Sequence, residues 1–155
     1  VIGDGWVQGG AALFTYGVGR LHGNAKVAHT GSDLVRAQIL YGILTKGLKL
    51  AVDRQRPDGG GHSFPSGHTA AVFASASVLH GHFGWKTALP AYALAAFVGW
   101  TRLRDEQHWL SDIGAGAAIG VIVGQTITSG HRQRAWRVLP VPARGGIGVI
   151  VFKSS

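Results

Sequence analysis

The sequence of 155 residues contains no cysteine and no methionine. The absence of cysteine excludes disulfides, thiolate catalysis and cysteine-ligated zinc, although it leaves the redox compartment open. Because methionine is missing even at position 1, we expect a processed or trimmed chain, from which a targeting segment could have been removed.

Long hydrophobic runs are also scarce. The most apolar windows, Ala88 to Trp100 and Ile113 to Ile127, are shorter than the roughly 18 to 20 residues that cross a bilayer, and they are rich in Gly and Ala. The mean hydropathy of +0.18 is modest for a protein with several spans. We therefore predict a compact soluble helical domain, with an integral membrane domain of short or tilted spans as the alternative.

Negative charge is in short supply, since 15 Lys and Arg stand against 7 Asp and Glu and give a formal charge of +8. This excess favours anionic partners, namely phosphate esters or the anionic surface of a membrane, although plain solubility also explains it. The cations are scattered and do not form one stripe with interleaved aromatic residues. We therefore expect no nucleic acid partner.

The spacing of apolar residues predicts an all-α fold in a single domain. The helical body spans residues 1–130, and its five helices are predicted over 6–18, from Ser32 or Asp33 to the stop at Pro57, and over 66–79, 86–103 and 106–129. Glycines recur along the last helix, so neighbouring helices can approach it closely: Gly114, Gly116, Gly120 and Gly124.

The composition changes after Gly130. Residues 131–155 are predicted to form a basic linker and a short β-hairpin that lies against the helices, with Arg137 to Val141 paired to Gly148 to Lys153.

Lys49 and Arg56 are seven residues apart, which places them on nearly the same face of one predicted helix. Two such cations can neutralise the oxygens of a phosphate, the guanidinium bidentately and the ammonium as a point charge. Taken alone, the pair is more often a solvated helix face.

Pro65-Ser66-Gly67-His68 is predicted to be a tight turn that opens into a helix. The amides of Ser66, Gly67 and His68 should then point outward at the positive end of the helix dipole and bind an anion. The Ser66 hydroxyl can add a hydrogen bond, and His68 is placed to deliver a proton to a departing oxygen. A simple helix cap at Ser66 is the alternative.

His108 and Asp112 are four residues apart and are predicted to lie on one helix within side-chain contact. A carboxylate that accepts from one ring nitrogen leaves the lone pair of the other free for attack on phosphorus or for binding a metal. Arg102, six residues earlier, can supply a further cation. A solvated arginine beside a structural His–Asp pair is the alternative.

The pair His80 and His82 could suggest a metal clip, but two surface histidines in a loop explain it better. We predict no metal site.

Together, the three blocks resemble the signature of the type 2 phosphatidic acid phosphatase superfamily, which also contains the vanadium-dependent haloperoxidases. The chain matches ten of eleven signature positions at the right internal spacings and departs at Thr101, where the family usually has Ser. Threonine keeps the hydroxyl, so we expect little harm. The signature spans residues 49–112, and the helix order around it is similar to that family's helical bundle, so the resemblance covers most of the chain except the first 30 residues and the tail.

This resemblance also implies roles for the residues. His108 would be the nucleophile that forms a phosphohistidine, oriented by Asp112, and His68 would protonate the leaving alkoxide and then activate water. The remaining residues would hold the phosphoryl oxygens without a metal or other cofactor, although vanadate or phosphate can occupy such a site: Lys49, Arg56, Ser66, Gly67 and Arg102.

We therefore expect a metal-independent phosphomonoesterase acting on phosphorylated lipids or isoprenoids. The resemblance implies the bacterial periplasm or the periplasmic face of the inner membrane, with an integral inner-membrane protein as the alternative. A soluble acid phosphatase acting on small esters, a vanadate-dependent haloperoxidase and a noncatalytic anion-binding module remain open.

Overall fold

The computed structural model describes residues 3–132, 137–143 and 146–152 of the chain. The predicted all-α fold is confirmed, since the body consists of five helices: α1 (Gly5–Leu21), α2 (Ala25–Val52), α3 (Gly67–Phe83), α4 (Trp85–Arg104) and α5 (Leu110–Arg132).

The second and third helices are longer than the sequence predicted. Helix α2 begins seven residues before Ser32, because the Asn24 side chain caps it by accepting a hydrogen bond from the Val27 N–H at 3.2 Å. Helix α3 continues past Leu79 to Phe83 and ends at Gly84, whose φ of 78° suits a glycine. His80 and His82 therefore lie on a helix, and the loop predicted for them is wrong.

Two loops correct the predicted placement of the site residues. Helix α2 ends at Val52, so Arg56 lies in the loop after it and does not share a helix with Lys49. Helix α5 begins at Leu110, where the Asp112 carboxylate accepts from the Trp109 N–H at 2.9 Å and satisfies one free donor of the first turn. His108 precedes this helix, so His108 and Asp112 are not a pair on one helix face.

Helix α3 lies at the centre of the body and packs against α2, α4 and α5. Its buried face is made of small residues, among them Ala70 and Ala74, which lets α5 approach backbone to backbone. A Cβ atom added at Gly116 or Gly120 would lie 2.5 Å from the carbonyl oxygens of Ser66 and Ala70, respectively. The close approach predicted from the glycines of α5 is confirmed.

Replacing Gly120 by alanine is expected to lower the free energy of unfolding by about 1 to 3 kcal/mol, because the added methyl group forces α3 and α5 apart. Thermal unfolding in one fixed buffer and detergent measures the change. Gly114→Ala is the matched control on the same helix, since nothing lies within 4 Å of its added Cβ. Equal losses in both variants would contradict this account of the packing.

Large apolar side chains cover much of the outer surface. Trp6, Phe14 and Leu21 of α1 are 93, 73 and 86% exposed. Of the helices in the described ranges, one is long and apolar enough to cross a membrane, the segment Leu110–Gly130 of α5, with a mean hydropathy of 1.4. This segment has 21 residues. The window Ile113 to Ile127, which favoured a soluble domain, is shorter and therefore understated the length of the apolar segment.

After α5 come two short strands, β1 (Arg137–Ala143) and β2 (Gly146–Phe152), in antiparallel register with Arg137 opposite Phe152. Within the described residues the two strands form a sheet of their own, and this pairing does not support a position against the helices. The predicted β-hairpin, including its position against the helices, therefore stays a prediction.

Candidate active site

A cavity of about 320 Å³ opens beside the N-terminus of α3. Its lining includes five of the eight predicted site residues, which come from α2, α3 and the two loops described above: Lys49, Arg56, Gly67, His68 and His108. The rest of its lining comes from the segment 3–6 and from Tyr41, Gly42 and Thr45 of α2. The fold thus gathers residues from all three sequence blocks and the N-terminal segment around one space.

The two cations of this cavity differ in whether their N–H donors already have hydrogen-bond acceptors in the protein. The Lys49 ammonium donates to the carbonyl oxygens of His62 at 3.0 Å and Ser63 at 3.4 Å. The Arg56 Nε is buried and has no hydrogen-bond acceptor within the described ranges. Because a buried N–H without an acceptor is costly, this guanidinium is suited to an anion in the cavity.

The start of α3 supplies fewer donors than predicted. The Ser66 N–H donates to the Asp112 carbonyl oxygen at 3.0 Å, and the Ser66 hydroxyl oxygen accepts from the Thr69 hydroxyl at 3.0 Å. Ser66 is fully buried, caps α3 and does not line the cavity, so the prediction that its amide points outward is wrong. Gly67 and His68 do line it, at the positive end of the helix dipole.

His108 is 2% exposed and lies where burial and positive charge act together. Burial and the nearby charges of Lys49 and Arg56 lower the pKa of His108 to about 4, and this shift is opposed by Asp112 and by the Ser63 backbone. The imidazole is therefore neutral at neutral pH, the state that a nitrogen nucleophile requires.

Asp112 is fully buried, and both of its carboxylate oxygens are occupied. Oδ1 accepts from Arg54 Nη1 at 3.0 Å, and Oδ2 accepts from the Trp109 N–H at 2.9 Å. The His108 Nδ1 lies 3.8 Å from Oδ2, which is too long for a hydrogen bond, and it has no hydrogen-bond partner among the described residues. The predicted contact between His108 and Asp112 is therefore an electrostatic interaction without a hydrogen bond in this structure.

Arg102 faces a neighbouring cavity of about 250 Å³ on the other side of His68, which lines both. Its Nη2 lies 3.5 Å from Asp105, and its buried Nε finds no acceptor in the described part of the chain. The structure therefore places Arg102 beside the other site residues but not on the wall of the same cavity.

One residue of the site carried no signal in the sequence. Asp4 comes from the segment before α1, and its Oδ1 lies 2.7 Å from the His68 Nε2, so that the ring N–H can donate to the carboxylate. This hydrogen bond is the main cause that lowers the pKa of Asp4. A Cβ at Gly3 would lie 2.9 Å from Val98 and 3.0 Å from His68, so a glycine is needed for the segment to approach.

His82 does not face the site. Its Nε2 lies 2.9 Å from Asp33 Oδ2, and the Asp33 side chain is 1% exposed. In the described ranges no three His, Cys, Asp or Glu side chains are grouped so that they could hold a metal ion.

Comparison with known proteins agrees with the motif and the helical body. The lipid A 1-phosphatase of Porphyromonas gingivalis is 38% identical over 98 residues, which are 61% of this chain and 22% of that protein. The lipid A 4'-phosphatase of Helicobacter pylori is 32% identical over 76 residues, 49% of this chain and 38% of that protein. The chain thus spans well under half the length of either relative.

A solved structure shares the fold. The transmembrane PAP2 type phosphatidylglycerolphosphate phosphatase from Bacillus subtilis superposes with a TM-score of 0.57 at 19% identity, over 81% of this chain and 77% of that one. The family model of the PAP2 superfamily matches residues 31–136 and so includes every predicted site residue. From this match, the chain belongs to the PAP2 superfamily.

Proposed function

We propose that this chain is a phosphatase that hydrolyses phosphate monoesters of membrane lipids through a phosphohistidine. The observation that carries the proposal is the meeting of a neutral, buried His108 with Lys49, Arg56 and His68 around one cavity. A phosphoryl group there would meet a nucleophile, two cations and a proton donor. These are the groups that phosphoryl transfer requires.

In the first step, the free ring nitrogen of His108 attacks phosphorus and the bond from phosphorus to the ester oxygen breaks. His68, in the protonated form that its hydrogen bond to Asp4 stabilises, gives its proton to that oxygen, and the alcohol leaves. Lys49 and Arg56 neutralise the phosphoryl oxygens while the charge on them develops. Asp112 stabilises the positive charge that the phosphorylated ring of His108 acquires.

In the second step, the now neutral His68 takes a proton from water, the water oxygen attacks phosphorus, and the bond from phosphorus to His108 breaks. Inorganic phosphate leaves and the enzyme returns to its starting state. Because protein cations supply the charge in this scheme, we propose that it needs no metal. Turnover is expected to stay within about twofold after EDTA treatment, and a loss restored by a divalent cation would contradict this part of the proposal.

We also propose that the domain is embedded in the inner membrane, which replaces the prediction of a soluble domain. Only 28% of the most apolar window of α5 is buried inside the protein, whereas the core helix of a soluble protein is mostly buried. Side chains such as Trp6, Phe14 and Leu21 then contact acyl chains instead of water. We propose that the cavity faces the periplasm, as the family resemblance implies.

The substrate class is testable with the purified protein in vesicles. We expect kcat/KM for lipid A 1-phosphate, phosphatidic acid or phosphatidylglycerol phosphate to exceed that for nitrophenyl phosphate by at least about tenfold, because the apolar surface beside the cavity binds acyl chains. Release of inorganic phosphate is the readout for every ester.

Two results would overturn this assignment. A preference for nitrophenyl phosphate over every lipid would indicate an acid phosphatase of small esters. Bromide oxidation after addition of vanadate and peroxide, without phosphatase activity, would indicate a haloperoxidase.

A further inference from the structure

Arg54 lies just outside the cavity and holds the buried carboxylate next to the nucleophile. Its Nη1 lies 3.0 Å from Asp112 Oδ1, and no atom of Arg54 lines the cavity that contains His108. A fully buried carboxylate needs a compensating charge, and within the described ranges Arg54 is the cation that forms an ion pair with Asp112.

Arg54 is itself fixed from two further directions. Its Nη1 donates to the Ser111 hydroxyl at 2.6 Å, and its guanidinium carbon lies 5.3 Å from the centre of the Trp109 ring. The Trp109 indole N–H in turn donates to the Gln55 carbonyl oxygen at 3.1 Å. The loop after α2 is thereby tied to the start of α5, directly after His108 in the sequence.

We propose that Arg54 is a positioning residue for phosphoryl transfer: it holds Asp112 in place, offsets its charge and so keeps the His108 imidazole aimed into the cavity as the nucleophile. The inference rests on the proposed function, because it assigns a role in that reaction. It adds to the motif a residue whose partner is 58 positions away in the sequence.

The inference predicts the direction in which the pKa of His108 shifts when Arg54 is replaced. The charged and titratable groups around the site, besides Arg54, are Lys49 and Arg56 on the cation side, Asp112 and Asp4 on the anion side, and His68 with Arg102 beyond it. Removing the Arg54 cation leaves Asp112 less neutralised, so the protonated form of His108 is favoured and its pKa rises. The acidic limb of the kcat/KM profile, expected near pH 4, should therefore move upward.

The test compares Arg54→Gln, Arg54→Lys and a matched control. Arg36→Gln serves as the control, because Arg36 pairs with another buried carboxylate, Asp33, at 3.5 Å and lies 13 residues before Lys49 on α2. In Arg54→Gln we expect the acidic limb to rise by about one pH unit and kcat to fall about tenfold, with KM and the inhibition constant of inorganic phosphate within about threefold.

We expect Arg54→Lys to keep the limb within about 0.3 pH units of wild type but to recover only part of kcat, since lysine has no planar fork. Arg36→Gln should match wild type in every parameter. Loss of phosphate binding in Arg54→Gln, or an equal loss of kcat in Arg36→Gln, would overturn the inference. The inference would also be overturned if Arg54→Gln had the kcat of wild type and an unchanged acidic limb in its kcat/KM profile.

If Arg54→Gln does not fold, Arg54→Lys decides the question, and full wild-type kcat in that variant overturns the inference. Failure of the proposed function would look different, because wild-type protein would then release no phosphate from any ester. If wild-type protein is active and substitution of Arg54 changes neither kcat nor the acidic limb, only this inference is overturned.

Discussion

Replacing His108 by alanine is expected to lower phosphate release from lipid esters by at least about 10⁴-fold, because the variant lacks the nucleophile and His68, the other imidazole among the described residues that line the cavity, is hydrogen-bonded to Asp4. Lys49 and Arg56 remain in the variant, so binding of inorganic phosphate should change by less than about tenfold. The measurements are turnover in vesicles and trapping of the phosphoenzyme from labelled substrate.

The trapped species identifies the bond that forms. A phosphohistidine is labile in acid and stable in base, whereas a phosphoserine behaves in the opposite way, so the two are separated by quenching at both extremes. His22→Ala is the matched control, since His22 is exposed at the end of α1 and does not line the cavity. A His108→Ala variant that still forms the phosphoenzyme would end the proposed mechanism.

Replacing His68 by alanine is expected to slow hydrolysis of alkyl phosphates by about 10² to 10⁴-fold, because the leaving alkoxide then departs without its proton. Nitrophenyl phosphate should lose much less in the first step, since nitrophenolate leaves readily unprotonated. The second step still lacks its base, so the phosphoenzyme should accumulate. Stopped-flow measurement should therefore show a burst of nitrophenol followed by slow turnover.

The control for this variant is His80→Ala at the other end of the same helix. His80 stacks on Trp85 with ring centroids 4.7 Å apart, and 12 residues of helix separate it from His68, about 18 Å along the axis. Its kinetics should match wild type. An equal loss in the rate of the first step on lipid and nitrophenyl esters in His68→Ala would argue against a proton donor and for a structural role of His68.

The motif spacing predicted which side chains lie together more accurately than it predicted the secondary structure that positions them. Lys49, Arg56 and His68 line one cavity although the helix thought to join the first two ends at Val52. Spacing within a motif is compatible with more than one backbone path, and the capping interactions at Asn24 and Asp112 decided where the helices begin.

Other features could not have been predicted because they depend on tertiary contacts. Asp4 reaches His68 across 64 positions, and Arg54 reaches Asp112 across 58, with no local pattern linking either pair. The outer surface was missed for a different reason. An apolar helix face that contacts lipid and one that packs in a core have the same periodicity, and the structure separates them by exposure.

The backbone hydrogen bond from Ser66 to Asp112, together with the glycine contacts between α3 and α5, locks the reacting half of the pocket into one unit. Substitutions in this unit would disturb catalysis, so we expect its sequence to be strongly constrained. The wall with Trp6, a side chain that is 93% exposed, is not part of this packing and is free to diversify. Evolution of new head-group preferences within this superfamily is therefore expected to proceed along that wall, while the machinery opposite is inherited unchanged.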